Sequence, residues 1–115
     1  MTSPDPHTHG RRAADELLRL LADDDSLGAE ALLAGIPTIR ELVFVGAGLT
    51  SVARAEARRL PPAQRAQANT RQLRLGALRD ASRDDPAGLR VWLRRAAEEV
   101  ALIRSQRAVA DRFVG

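Results

Sequence analysis

A short segment near the middle of the chain has the residue types of a phosphate-binding loop. Residues 42–45 are apolar and favour a β-strand, and Gly46 and Gly48 follow directly, with Ser51 three residues further on. Where a strand turns into a helix, such glycines let the backbone approach a pyrophosphate at the helix N-terminus. The same residues also fit the middle of a buried helix, which has no such chemistry.

The segment resembles the amino-terminal fingerprint of flavin- and nicotinamide-dependent oxidoreductases, in which a strand precedes Gly-x-Gly-x-x-Gly. Gly46 and Gly48 match the first two glycines, and Ser51 stands where the family has the third. The resemblance implies a second strand about twenty residues later, ending in an acid that binds the ribose. Residues 61–72 instead hold two prolines and many glutamine, alanine and arginine residues. We therefore expect neither FAD nor NAD to bind, and no other cofactor is predicted.

The helical interpretation of the same segment rests on a cap and a stripe. Thr38 and Glu41 have the spacing of a capping box. Beyond it, small and apolar residues recur at steps of three and four: Ile39, Leu42, Gly46, Leu49, Ala53, Ala57 and Leu60. We predict one continuous buried helix over residues 39–60, ended by two prolines, in which the glycines let a neighbouring helix approach closely.

Residues 47–50 also resemble the turn of a DNA-binding helix-turn-helix. The recognition helix would then cover residues 51–60 and carry Arg54, Arg58 and Arg59. An apolar residue is expected at the position of Arg54, where it would dock that helix on the domain. This mismatch favours the continuous helix.

The residues that could bind a metal or catalyse a reaction are few. His7 and His9 lie in an N-terminal stretch with no third ligand nearby, and the acids of residues 23–25 are adjacent rather than alternating, unlike a calcium loop. The chain has no cysteine, lysine or tyrosine. We predict no metal site, no catalytic residues and a non-enzymatic protein.

Composition favours a single all-α domain. The 115 residues include 21 alanines but only three aromatics, Phe44, Trp92 and Phe113. A core built mainly from alanine and other aliphatic side chains suits close-packed helices. All 18 basic residues are arginine, a bias that fits a GC-rich genome. No apolar run reaches the roughly 20 residues of a membrane span, and the first residues lack the pattern of a secretory signal. We expect a cytoplasmic protein without membrane contact.

Charge is distributed unevenly along the chain. Residues 1–39 carry three arginines and seven acids, whereas residues 40–115 carry 15 arginines and eight acids. The most basic part, here called the basic block, comprises Arg54, Arg58, Arg59, Arg65, Arg71, Arg74 and Arg79, with Glu56 as the one acid between them. This block could bind an acidic protein surface or nucleic acid, or the acidic first third of the same chain could neutralise it.

Four further helices complete the predicted architecture, a small bundle of four to five helices. We expect a disordered N-terminal tail over residues 1–10 and a single helical domain over residues 11–115. The other helices are predicted at residues 11–22, 27–34, 62–82 and 86–113. In the helix over residues 62–82 the inward side chains are predicted to be Ala66, Thr70, Leu73 and Ala77.

The long C-terminal helix carries a heptad pattern, here called the heptad seam: Leu89, Leu93, Ala96, Val100, Ile103, Arg107, Ala110 and Val114. Trp92 flanks this seam and could anchor a contact. Such a pattern either joins two chains in a coiled coil or packs one helix inside a monomeric bundle. In a parallel coiled coil, Glu99 and Arg104 would have the spacing of an interchain ion pair.

These observations lead to two hypotheses about function. The first is a helical protein–protein interaction module that associates with itself through the heptad seam, or with another protein that has an acidic or helical surface. The second is a nucleic-acid-binding regulator that uses the basic block. The salt dependence of binding distinguishes the two hypotheses, because affinity for nucleic-acid phosphates falls steeply as the salt concentration rises.

Overall fold

Five α-helices make up the part of the chain that the structure describes. The computed structural model describes residues 5–114, with side chains for residues 5–113. The helices are α1 (Pro6–Ala22), α2 (Ser26–Ala34), α3 (Ile39–Ala57), α4 (Pro62–Ala81) and α5 (Pro86–Val114). Residues 5–114 contain no β-strand, so the fold is the small all-α bundle that was predicted, about 47 × 30 × 29 Å in extent.

The glycine-containing segment is the interior of α3. The amide of Glu41 donates to the hydroxyl oxygen of Thr38 (3.1 Å), and that hydroxyl donates to the Glu41 carboxylate (3.0 Å), so the predicted cap is present. Helical structure runs through Gly46, Gly48 and Ser51 without a break. There is no strand-to-helix loop for a pyrophosphate and no turn for a helix-turn-helix. The helix ends at Ala57, three residues earlier than predicted.

The strand-favouring residues at the start of α3 are helical because that helix is packed on two sides. Leu42, Val45 and Leu49 are buried, and α3 makes extensive contacts with both α1 and α5. Burial of each such side chain is worth about 1.5–3 kcal/mol, which outweighs the few tenths that separate helix propensities.

The N-terminus is helical earlier than the sequence analysis predicted. Asp5 caps α1 by accepting from the amide of His7, and Pro6 occupies the first helical position, where proline is tolerated. The tail prediction is therefore wrong for residues 6–10, and its first four residues lie outside the described residues. Gly10 is buried where α1 packs against α3. A Cβ at this position would lie 2.6 Å from the carbonyl oxygen of Phe44, so the close approach of the two helices requires a glycine.

The heptad seam of α5 faces the interior of the chain. Leu89, Leu93, Val100 and Ile103 are fully buried and Ala96 nearly so, among residues of α1 and α3. These five positions of the seam are thus core and not available to a second chain, whereas Arg107 and Ala110 are half-buried. The side chain of Val114, its last position, lies outside the described residues.

The charged residues near the seam are paired within the chain. Arg107 binds Glu56 of α3, and Arg104 lies 3.7 Å from the same carboxylate. Glu99 binds Arg71 of α4. Neither residue needs a second chain to account for its charge, because Glu99 and Arg104 each have an intramolecular partner on another helix.

Helix α4 packs through a different face from the one predicted. Ala66, Thr70, Leu73 and Ala77 are all exposed. The side that meets α5 is formed by Gln64, Ala68, Arg71, Leu75 and Leu78, which also recur at steps of three and four. Because this stripe includes Gln64 and Arg71, apolar periodicity alone does not predict it. Arg71 lies inward because it binds Glu99.

Replacing Arg71 with alanine is expected to destabilise the domain by about 2 kcal/mol, because it leaves a mostly buried carboxylate without its cation. Both carboxylate oxygens of Glu99 lie 2.8 Å from the Arg71 Nε, and Glu99 is 7% exposed. Urea denaturation measures the change. Arg83→Ala is the control, since Arg83 and Asp84 are both on the surface. Equal midpoints for the two variants would show that the Arg71–Glu99 pair contributes nothing.

Candidate functional site

A groove runs between α3 and α4. Helix α4 packs mainly against α5, so its other flank stands apart from α3 and leaves two adjoining cavities of about 430 Å³ each. The cavities share Thr50, Arg54, Arg79 and Trp92, which makes them one groove. Its lining extends along α3 from Val43 to Arg58, about 22 Å at the helical rise of 1.5 Å per residue.

The floor of the groove is apolar. It is formed by Leu49 and Ala53 of α3 and by Trp92 and Ala96 of α5. The Trp92 ring lies directly over Gly46, where a Cβ would come within 1.9 Å of a ring carbon. Trp92 is 3% exposed, so its indole closes the bottom of the groove and presents little surface to solvent.

Arginines stand at the rim. Arg54 lies in the last turn of α3, Arg58 follows one turn later as the C-cap residue of that helix, and Arg79 lies across the groove on α4. Arg79 is paired with Asp80 at 3.2 Å, the one acid in the lining. Among the described residues, Arg54 and Arg58 form no ion pair, so the groove carries an excess of two positive charges.

Exposed apolar side chains flank the arginines. Val43 on α3 is 41% exposed and Leu73 on α4 is 77% exposed. Between Val43 and Arg54 this part of the groove is lined on α3 by Gly46, Ala47, Thr50 and Ser51, whose small size leaves the groove wide. An apolar trough with cationic edges suits a ligand that is apolar on one side and acidic on the other.

The structure divides the basic block. Arg54, Arg58 and Arg79 converge on the groove, whereas Arg71 is turned inward to Glu99. Arg59, Arg65 and Arg74 are exposed outside the groove lining. The sequence indicated the right region of charge, but the subset that shares a site depends on how α4 is rotated on α5.

The acidic first third does not neutralise the basic block. Four of its seven acids form ion pairs, with α1 or with α5: Asp15 with Arg11, Glu16 and Asp23 with Arg19, and Glu30 with Arg94. The hydrogen bond from Arg19 lowers the pKa of the Glu16 carboxyl. In the part of the chain that the structure describes, none of these acids pairs with an arginine of the block.

A second cavity, of about 360 Å³, lies between α1, α3 and the end of α2. Its lining is mostly apolar, with His9 and Glu41 as the side chains that can ionise. The Glu41 carboxylate already accepts from Thr38, and His9 is exposed. Residues 5–113 contain no group of three histidine or acidic side chains that could hold a metal ion. The cavity therefore lacks the convergence of charged groups found in the groove.

The chain matches no protein-family model, no curated protein and no solved structure. Among the helices described here, none has the length and hydropathy of a membrane span. The groove, where the unpaired Arg54 and Arg58 lie beside exposed apolar surface within a cavity, is the candidate functional site.

Proposed function

We propose that the protein is a non-enzymatic interaction module of the cytoplasm that binds an acidic amphipathic helix of another protein in the groove between α3 and α4. The observation that carries this proposal is the juxtaposition of an apolar floor with the unpaired guanidinium groups of Arg54 and Arg58. A helix can lay its apolar face into such a trough while its carboxylates reach the rim.

The dimensions of the groove favour a helical ligand. A length of about 22 Å accommodates about 15 residues of helix. Arg54 and Arg58 are spaced by one turn, so acids at positions i and i+4 of a parallel helix meet both guanidinium groups. Arginine suits this task because its planar fork can bind a carboxylate through two hydrogen bonds.

Nucleic acid is the less favoured ligand. Proteins that hold single strands stack bases on exposed aromatic rings, whereas the Trp92 ring at this groove is almost fully buried. The exposed apolar side chains of Val43 and Leu73 have no counterpart in a phosphate backbone. A protein helix uses both the apolar and the cationic parts of the groove.

Charge reversal on α3 tests this function. We expect an amphipathic peptide with leucines on one face and glutamates on the other to bind, and Arg54→Glu with Arg58→Glu to weaken binding about tenfold or more. Trp92 is the chain's one tryptophan, so its fluorescence reports occupancy directly. Arg65→Glu with Arg74→Glu is the matched control, because it also reverses two charges and both arginines are exposed outside the groove lining.

Two other outcomes would contradict the proposed function. If random-sequence duplex DNA binds more tightly than the peptide, loses affinity steeply with salt and is displaced by Arg54→Glu with Arg58→Glu, the ligand is nucleic acid. If Arg65→Glu with Arg74→Glu weakens peptide binding as much as Arg54→Glu with Arg58→Glu does, the attraction is nonspecific and the groove is not the site.

A further inference from the structure

A second uncovered surface follows the length of α5. The exposed large apolar residues of this helix are Val91 (48%), Leu102 (42%), Val109 (48%) and Phe113 (86%). At 100° per residue they fall within about 40° of one another around the helix. Four apolar side chains scattered at random over an exposed surface would not share one line.

Exposed residues continue along this line of α5 at alternating steps of four and three residues. We call it the outer stripe, and its positions are Val91, Arg95, Glu98, Leu102, Ser105, Val109 and Arg112, all exposed. It is a different face of α5 from the heptad seam, which is buried against α1 and α3. Helix α4 packs beside it through Glu99 and Arg71 and leaves it open.

We infer that the first four positions of the outer stripe, Val91, Arg95, Glu98 and Leu102, bind the same four positions of a second copy of this chain, with the two α5 helices antiparallel. In one register, Val91 of each copy meets Leu102 of the other, and Arg95 of each meets Glu98 of the other. The two-fold axis then passes between Ala96 and Ala97. Every stripe position between Val91 and Leu102 therefore meets a partner of matching chemistry.

Other arrangements of the same stripe are mismatched. A parallel pair places Arg95 against Arg95 and Glu98 against Glu98, and like charges in contact are destabilising. Sliding the antiparallel helices by one heptad brings Leu102 against Glu98. A slide of two heptads brings Arg95 against Arg112.

The charges needed for this contact are free to form it. Among the described residues, Arg95 makes no ion pair. Glu98 lies 3.8 Å from Arg94 on its own helix, too far for a hydrogen bond, and the Glu98 side chain is 58% exposed. The interface is one helix wide, so we expect a dimer whose population depends on concentration. This inference is independent of the proposed function, since the groove and the outer stripe are separate faces.

Sedimentation velocity over micromolar to millimolar concentrations tests it. We expect Arg95→Glu to weaken dimerisation about tenfold or more, because it creates Glu–Glu contacts across the two-fold axis. Adding Glu98→Arg should restore the dimer by exchanging the two charges. Val109→Glu is the matched control, because Val109 lies on the stripe but beyond the paired positions. Circular dichroism verifies that each variant is folded.

The dimer contact is overturned if the wild-type chain stays monomeric throughout that range. It is also overturned if Arg95→Glu leaves the dimer intact, or if Val109→Glu dissociates it while the charge exchange fails to rescue Arg95→Glu. Loss of dimer in Arg95→Glu with recovery in the double variant supports both the surface and the register.

Discussion

Replacing Leu93 and Val100 together with aspartate is expected to unfold the protein. Both side chains are fully buried on α5 among residues of α1 and α3. An unpaired buried carboxylate costs several kcal/mol, and two of them approach or exceed a total stability of about 5–15 kcal/mol. Far-ultraviolet circular dichroism should show loss of helicity at neutral pH.

The matched control is the pair Val91→Asp and Leu102→Asp, which makes the same two substitutions on the outer stripe of the same helix. Both positions are exposed, so this variant should keep its helicity. If Leu93→Asp with Val100→Asp gave a helical, soluble monomer, the heptad seam would be an interface between chains after all.

The segment that most resembles a cofactor loop was correctly predicted to be helical, for reasons of long-range consistency. Local propensity at residues 42–45 favours a strand. The capping box at Thr38 and a stripe that continues unbroken through Gly46 to Ala57 both require a helix. Agreement between the cap and the stripe over nineteen residues outweighs four residues of contrary propensity.

Two elements were misjudged because their packing depends on polar residues. The lack of apolar residues predicts a tail where α1 begins, although Asp5 followed by Pro6 supplies a cap and a first-turn proline. The apolar residues of α4 predict an inward face that includes Leu73. The side chain that points inward is instead that of Arg71, which pairs with Glu99 of α5. The sequence of α4 alone does not indicate this partner.

The candidate site was predictable only in part, for a similar reason. The sequence located the basic block, but it associated Trp92 with the heptad seam and not with a groove. It could not show that Arg54 and Arg58 would face Arg79 across an open groove. The groove exists because α4 packs against α5 rather than against α3, and the sequence does not reveal which helix α4 packs on. Charge along a sequence is visible without a structure, whereas the space between helices is not.

The second large effect is expected at Gly46, where replacement with leucine should destabilise the domain by about 3 kcal/mol or more through overpacking. Even a Cβ would come within 1.9 Å of the Trp92 ring, a rigid neighbour that cannot move aside without leaving the core. At Gly48 the nearest atom to a new Cβ is the Ala14 Cβ at 3.2 Å, so substitution there should cost less.

Gly76→Leu separates this clash from the general effect of replacing a helical glycine. Nothing lies within 4 Å of a Cβ at Gly76 except the Arg79 side chain, at 4.0 Å, so this variant should gain about 0.5–1 kcal/mol from higher helix propensity. Thermal melts of the two variants should move in opposite directions. Gly46→Leu should also shift Trp92 emission to longer wavelength, because an indole forced off the groove floor meets water. A stable Gly46→Leu protein with unchanged emission would mean that Trp92 does not pack on Gly46, and the groove would lose the ring that closes it.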